Sequence, residues 1–271
     1  MCSSDLTLRI LAGLAKANSG QAWIMEREVG KPGSDIHAMI GVMPEEPAFY
    51  PWMTAREYLR DFVAPLFGIQ AGAAARRSAE LLELVGLSEA GDRRVGGFSR
   101  GMRQRLGLAQ ALVHQPKVLL LDEPVSALDP AGRREVLDLI ESLRGEITIL
   151  FSTHILDDVE RHCDRIGIIN KGRMVVQDER DTLLQRYAAP LIEVEASNGF
   201  GNWHEQMRQM SWVENITLNG KVARLLVTDV NAARSPLLAS LEESSLSVRR
   251  FEIVHHSLED VLLRLTEKAN L

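Results

Sequence analysis

The chain of 271 residues is 45% hydrophobic and 25% charged, and its formal net charge is −6. This length and composition suit one large packed domain or two smaller ones, and the acidic balance argues against nucleic acid as a partner. Two cysteines, Cys2 and Cys163, are too few for a disulfide framework, and the sequence shows neither a membrane-spanning apolar run nor a signal-peptide pattern. We therefore expect a cytoplasmic protein that reaches a membrane only through a partner.

The first part of the chain combines short strands with a helical insert and then returns to strands. The expected elements are short strands and turns at 20–43, a helix that opens on the capping-box pair Thr54 and Glu57, a helix around 81–87, a helix capped by Ser99, strands at 118–121 and 147–151, and a hairpin at 165–176. Strands that alternate with helices in this way predict an α/β fold.

From residue 187 onward the pattern changes. The sequence predicts a strand at 191–196, a helix at 201–210, a hairpin at 212–227 that turns at Asn219-Gly220, a helix at 232–241, a strand at 246–254 and a final helix from Ser257. This β-α-β-β-α-β order is typical of a small ferredoxin-like α+β domain. We therefore predict two domains, at 1–186 and 187–271.

The stretch Leu-Leu-Leu-Asp-Glu-Pro at 119–124 is the most informative feature of the chain. A short, continuous apolar run is typical of a parallel strand that is buried on both faces. Asp122 and Glu123 would then lie at the carboxyl edge of the sheet, where open α/β sheets bind their ligands. One carboxylate can hold Mg²⁺ and the next can orient a water for attack on a phosphate. A solvated acidic turn after a buried strand is the alternative.

Three further segments accompany these carboxylates. Phe-Ser-Arg-Gly-Met at 98–102 opens a helix, Ser-Ala-Leu-Asp stands at 126–129, and the apolar run at 147–151 ends in Ser-Thr-His at 152–154. In this order and at about this spacing, the chain resembles the nucleotide-binding domain of ABC transporters. In that family such segments are the signature motif, the Walker B motif, the D-loop and the switch histidine, and the resemblance covers nearly the whole chain.

The resemblance implies a P-loop NTPase-like ATPase core with a helical insert. The segment 256–263 is similar, more loosely, to the end of the accessory domain found on ABC exporters of the drug, polysaccharide and multi-component export group. The implied function is an ATP-binding and ATP-hydrolysing exporter subunit that uses ATP and Mg²⁺. Its implied partners are a transmembrane permease subunit and a second nucleotide-binding subunit in a head-to-tail dimer, at the inner face of the cell membrane.

Three residues would carry the chemistry by this resemblance. Asp122 would hold Mg²⁺, usually through water, and the ion would neutralise charge on the β- and γ-phosphates. Glu123 would polarise or deprotonate the attacking water. His154 would donate to a γ-phosphate oxygen and orient the water near neutral pH.

The signature motif and the D-loop would complete a nucleotide site on the other subunit. Ser99 and Gly101 begin a helix whose amides and hydroxyl suit a phosphate, and Asp129 is the D-loop acid. The usual signature is Leu-Ser-Gly-Gly-Gln, but here Arg100 replaces the first glycine and Met102 replaces the glutamine. A simple N-cap is the alternative role of Ser99.

Glu45 stands where the family has the Q-loop glutamine that joins the magnesium ion to the transmembrane partner. A glutamate can still accept from a magnesium-bound water, but it adds charge and loses a donor; a solvated loop is the alternative. Phe49, Tyr50 and Trp52 follow within one proline-bounded loop. These aromatic residues could pack inward or grip a helix of the permease.

The sequence departs from the family at its start. The family begins with a strand and a Gly-rich phosphate loop ending in Gly-Lys-Ser/Thr, whereas here the helix-like segment 8–14 almost opens the chain, and Ser4 and Asp5 stand at the lysine and Ser/Thr positions. We interpret the sequence as N-terminally truncated, without the Walker A loop, and expect no ATPase activity from it as given. The alternative is a non-catalytic regulatory or binding module derived from an ABC ATPase.

Overall fold

The computed structural model describes residues 3–126, 128–187, 191–254, 258–259 and 261–262. The chain divides into two compact units, the first made of 1–162 with 169–173 and the second of 163–168 with 174–271. The boundary predicted between residues 186 and 187 falls inside the second unit. It stays a prediction about which part of the chain folds independently.

The first unit contains a three-stranded sheet, a set of helices and a two-stranded hairpin. Its elements are α1 (Ser3–Leu11), β1 (Trp23–Ile24), β2 (Arg27–Glu28), β3 (Ile40–Met43), α2 (Ala55–Glu57), a π-helix (Tyr58–Val63), α3 (Ala64–Leu66), α4 (Ala71–Leu84), α5 (Arg100–Leu112), β4 (Val118–Asp122), α6 (Pro130–Ser142), β5 (Thr148–Ser152) and α7 (Leu156–His162). The strands β3 to β5 and the helices that follow Thr54 and Ser99 confirm the sequence prediction, whereas α6 was not predicted.

The sheet of the first unit brings three strand ends to one edge. Strand β4 lies between β3 and β5, and both pairs are parallel. The leucines at 119–121 are buried, which explains why the apolar run of the central strand is continuous. The register aligns Leu121 with Met43 and Asp122 with Ser152. Polar residues at the ends of β4 and β5 therefore meet at the same edge.

Two glycines allow helix α5 and the strand β3 region to approach closely. A Cβ atom on Gly41 would lie 2.1 Å from the carbonyl oxygen of Ala111, and one on Gly107 would lie 2.8 Å from Pro47 Cγ. Both distances are too short for real atoms, so these positions require glycine. The close packing holds the helix that begins after Ser99 against the strand that leads into the Glu45 loop.

The helical insert begins with the predicted capping box. Thr54 Oγ1 accepts from the Glu57 amide at 3.1 Å, and Glu57 Oε2 accepts from the Thr54 amide at 2.9 Å. After α2 the chain continues as a π-helix over Tyr58–Val63 and returns to α-helical geometry in α3. Such π-helical turns are rare in proteins, and those that occur are often found at functional sites.

The elements from residue 165 onward include a hairpin and a four-stranded sheet. They are β6 (Arg165–Asn170), β7 (Arg173–Glu179), α8 (Arg180–Tyr187), β8 (Leu191–Ala196), α9 (Trp203–Arg208), β9 (Val213–Asn219), β10 (Val222–Val227), α10 (Val230–Glu243) and β11 (Val248–Val254). The sheet is antiparallel in the order β11-β8-β10-β9. Together with α9 and α10 it confirms the predicted ferredoxin-like arrangement. The helix predicted from Ser257 lies largely outside the described residues.

The second unit has a hydrophobic core of its own. Ile192 and Val194 of β8 are fully buried in it, whereas Glu193 between them points to the opposite face and pairs with Arg224 and Arg250. Burial of the Glu193 carboxyl raises its pKa, but the hydrogen bonds and charges of the two guanidinium groups outweigh this and leave the pKa below its ordinary value. The carboxyl is thus held ionised on the outer sheet face.

The stability of the first unit should depend on pH through His114. Its Nε2 donates to the Ile40 carbonyl at 2.9 Å and its ring stacks on Phe67 at 3.8 Å. Burial lowers the pKa of His114; the Ile40 hydrogen bond opposes this and the charge of Arg77 adds to it. The unfolded chain therefore takes up a proton at the ordinary histidine pKa, near 6.5, before the folded chain does.

We expect the free energy of unfolding to fall as the pH drops below about 6.5, until the lower folded pKa is passed. Urea denaturation at constant ionic strength between pH 5 and 8 measures this slope. His114→Gln should flatten it, while the exposed His37 changed to Gln should not. Equal slopes in wild type and His114→Gln would contradict the assignment.

Candidate functional site

The two predicted carboxylates lie where the sequence placed them, at the end of the buried central strand. Asp122 is the last residue of β4 and Glu123 follows it. The Glu123 backbone has φ +46°, a left-handed conformation that is uncommon for a residue with a side chain. The two neighbouring carboxylates have different partners, Ser152 for Asp122 and His154 for Glu123.

Ser152, at the end of β5, connects the two acids. Its hydroxyl donates to Asp122 Oδ1 at 2.5 Å and accepts from the Glu123 amide at 3.1 Å. The same Glu123 amide also donates to the Ser152 carbonyl oxygen at 3.2 Å. One residue thus contacts the side chain of the first acid and the backbone of the second.

His154 completes this group. Its Nδ1 lies 2.9 Å from Glu123 Oε1, and because an ionised carboxylate only accepts, we place the proton on Nδ1. The His154 side chain is 74% exposed and that of Glu123 is 19% exposed. The second carboxylate oxygen, Oε2, is buried and has no hydrogen-bond partner among the described residues. An imidazole open to solvent therefore holds one oxygen of a carboxylate whose other oxygen is buried and has no partner among the described residues.

Glu45 belongs to the same edge of the sheet through different contacts. Its Oε1 accepts from Ser126 Oγ at 3.4 Å, and its carbonyl oxygen accepts from Gln104 Nε2 at 2.9 Å. Gln104 is a buried residue of α5, so the loop that carries Glu45 is fastened to the helix that begins after Ser99. Glu45 and Asp122 line one cleft of about 400 Å³ together with Arg9.

These acids fit a magnesium ion that is shared with a nucleotide. Mg²⁺ is usually held by one or two carboxylates, substrate phosphates and water, rather than by a cage of protein ligands. The part of the chain that the structure describes contains no group of three or more metal-binding side chains. Asp122 and Glu45 in a common cleft match the open type of site.

The other predicted nucleotide-binding residues lie at two helix starts. Ser99 Oγ accepts from the Met102 amide at 3.2 Å and Asp129 Oδ1 accepts from the Gly132 amide at 3.1 Å, so each side chain caps its helix. Gly101 lies in the first turn of α5. Within the described ranges, no hydrogen bond joins Ser99, Gly101 or Asp129 to the Asp122 group. Their binding roles stay predictions.

The proline-bounded aromatic loop divides into buried and exposed parts. Phe49 packs edge-on against the buried Tyr58 at 5.1 Å, and burial raises the pKa of Tyr58 to about 12, with Tyr50 adding to the rise. Tyr50 is 39% exposed and Trp52 is 65% exposed, with ring centroids 5.0 Å apart. Phe49 therefore packs inward, which was one of the two alternatives, and the contact of Tyr50 and Trp52 with a permease stays a prediction.

An ion pair that sequence reasoning missed joins the helices after the D-loop and after His154. Arg133 of α6 donates to Asp158 Oδ1 of α7 from two nitrogens, and Asp158 is only 2% exposed. The contacts of Ser152 with Asp122 and Glu123 and of Gln104 with Glu45 were also missed. The sequence offered two signals: a polar residue at the end of an apolar strand and a polar residue on the buried side of a helix. Neither signal identifies the partner, because partners depend on strand register and helix packing.

Among the helices that the structure describes, none combines the length and the apolar character that crossing a bilayer requires.

Comparison with known proteins gives consistent results. The sequence profile of the family described as ABC transporter matches residues 6–126. The uncharacterized ABC transporter ATP-binding protein YxlF of Bacillus subtilis (strain 168) is 41% identical over 260 residues, which cover 96% of this chain and 85% of the relative. The linearmycin resistance ATP-binding protein LnrL of the same organism is 30% identical over 267 residues, with 96% and 85% covered.

Solved structures show the same fold. The dimeric ATP-binding cassette MJ0796, in a post-hydrolysis state bound to ADP and Pi, matches 65% of this chain and 79% of its own chain, with a TM-score of 0.58 at 22% identity. The likeness confirms the predicted P-loop NTPase-like core with mixed helices and strands.

Proposed function

The chain belongs to the family of ABC transporter ATP-binding proteins, and we propose that this ATP-binding subunit hydrolyses ATP to drive a transmembrane permease in an exporter. The observation that carries the proposal is the group formed by Asp122, Ser152, Glu123 and His154 at one sheet edge. It combines an ion-binding carboxylate with a second carboxylate that is oriented by an imidazole. A surface acidic turn would need neither the buried serine nor the histidine.

In the proposed reaction, Glu123 accepts a proton from the water that attacks the γ-phosphate. His154 Nδ1–H stays on Glu123 Oε1, so the proton would pass to Oε2, which is buried and has no hydrogen-bond partner among the described residues. With one proton already on Nδ1, Nε2 of His154 would donate to a γ-phosphate oxygen in the imidazolium form, in which both ring nitrogens carry protons. Asp122, with Glu45 in the same cleft, would hold Mg²⁺, which supplies positive charge to the phosphates when bound.

We further propose a head-to-tail dimer at the inner face of the cell membrane. Helix α5 begins with free amides behind the Ser99 cap, and such a helix start attracts phosphate. A nucleotide that bridges two copies would contact the Ser99 helix start of one copy and the Glu123 group of the other. The dimer of MJ0796 supports this arrangement, and the linearmycin resistance protein supports export as the direction.

The proposal is tested by adding a phosphate loop to the chain. We define the loop-extended chain as residues 6–271 preceded by a strand and a Gly-x-x-x-x-Gly-Lys-Ser loop. The backbone amides and the lysine of such a loop cradle the phosphates. We expect steady phosphate release from the loop-extended chain and none above background from residues 1–271 alone.

A loop whose lysine is changed to alanine is the matched control, since it adds the same length of chain without the charge. If the loop-extended chain binds ATP but releases no phosphate, the non-catalytic regulatory module becomes the better reading. Hydrolysis by residues 1–271 alone would instead show that the triphosphate is held by other groups.

A further inference from the structure

We propose that Ser152 is a positioning residue for ATP hydrolysis, which sets Asp122 and Glu123 in their relative orientation; the inference rests on the proposed function. The Ser152 hydroxyl has one proton to donate and lone pairs that accept. A carboxylate oxygen can only accept, so the proton points to Asp122 Oδ1, 2.5 Å away. The same hydroxyl oxygen accepts a hydrogen bond from the Glu123 amide at 3.1 Å. A single oxygen atom thus sets the distance between the metal-binding side chain and the backbone of the base.

The Glu123 backbone gives this contact a specific purpose. A φ of +46° is sparsely populated for glutamate and persists only where its surroundings hold it. Both acceptors of the Glu123 amide, the carbonyl oxygen at 3.2 Å and the hydroxyl at 3.1 Å, belong to Ser152. Ser152 therefore holds the backbone turn that directs the Glu123 side chain toward His154.

Burial makes the hydroxyl difficult to replace. Ser152 is 8% exposed and stands opposite Asp122 in the parallel ladder. Water has little access to substitute for the missing group, so an apolar side chain there would leave Asp122 Oδ1 without this donor. An apolar residue such as valine would simply continue the apolar run of β5. The serine at this position is explained by its hydrogen bonds with Asp122 and Glu123.

The test uses a pair of substitutions with the same shape. Ser152→Thr keeps a hydroxyl, and Ser152→Val replaces it with a methyl group at equal volume. In the loop-extended chain we expect Val to lower kcat about tenfold or more while KM for ATP changes less than about threefold, because misplacement of reacting groups affects the rate more than ATP binding. Thr should stay within about threefold of wild type for both constants.

A second measurement does not depend on hydrolysis. In the chain of residues 1–271, NMR reports the exchange of the Glu123 amide proton with solvent. We expect faster exchange in Ser152→Val than in Ser152→Thr, because one of its two acceptors is lost. If Val does not fold, as judged by its melting curve, Ser152→Ala takes its place against Thr.

The outcomes separate the two proposals. Hydrolysis by wild type with equal kcat in Val and Thr would overturn the role of Ser152 and leave the ATPase proposal standing. No hydrolysis by the wild-type loop-extended chain would refute the ATPase proposal, and the exchange data would then decide alone whether Ser152 holds the Glu123 turn. Equal amide exchange in Val and Thr would overturn the inference in either case.

Discussion

Changing Glu123 to Gln in the loop-extended chain should abolish most ATP hydrolysis while leaving ATP binding intact. Glutamine has the same shape but cannot take a proton from water, and general-base catalysis contributes about 10²- to 10⁴-fold. We expect kcat to fall by that factor and ATP-bound dimers to accumulate. Phosphate release and light scattering in the presence of ATP measure the two effects.

The Glu123–His154 hydrogen bond adds a second requirement. Because the two side chains share one contact of 2.9 Å, the double substitution Glu123→Gln with His154→Ala should cost less than the product of the two single effects. Glu89→Gln, at an exposed site, is the matched control and should keep the wild-type rate. A fully active Glu123→Gln protein would show that another group activates the water.

The exposed aromatic pair, Tyr50 and Trp52, should contribute strongly to the binding of a permease. Trp52 and Tyr50 lie in one loop with their rings in contact, and aromatic anchors at interfaces often contribute about 2 kcal/mol or more each. Replacing either with alanine should weaken binding to the transmembrane subunit about 30-fold, by the usual conversion. Co-purification and titration of the detergent-solubilised permease measure this loss.

Two controls separate binding from folding. Trp23 is 57% exposed in the first unit, so Trp23→Ala removes a comparable side chain outside the loop and should leave permease binding unchanged. Phe49→Ala should instead lower the melting temperature, since Phe49 packs against the core. If Tyr50→Ala and Trp52→Ala bind normally, or if they unfold as Phe49→Ala does, the pair serves packing and not recognition.

Local signals in the sequence predicted much of this fold. The sequence predicted helix starts at the Thr54–Glu57 pair and at Ser99, because a helix cap depends only on residues about three positions apart. The run before Asp122 was readable because a strand buried on both faces has no polar side. The hairpin was predicted from Asn219-Gly220, but its turn lies one residue later: Asn219 pairs with Val222 and ends β9, so Gly220, at φ +60°, and Lys221 form the two-residue loop.

Other features depend on residues that are distant in sequence. The contacts of Ser152 arise from the register between β4 and β5. Gln104 reaches the Glu45 loop because α5 packs closely against β3 at Gly41 and Gly107. The π-helix at Tyr58–Val63 keeps the apolar spacing of an ordinary helix, so periodicity did not reveal it. For Ser99, Gly101 and Asp129 the sequence predicted partners on a second subunit, and those roles await the dimer.

The pairing pattern of the two sheets has a consequence for how the chain folds. The parallel ladder aligns Ile40 with Val118, so the whole helical insert must be made and looped out before this pairing closes. The β9–β10 ladder instead begins at Asn219 opposite Val222 and closes over a short turn. Since distant pairing slows folding and nearby pairing speeds it, the sheet that carries the carboxylates should be the later of the two to form. The edge that carries Asp122 and Glu123 should thus be completed after the β9–β10 hairpin.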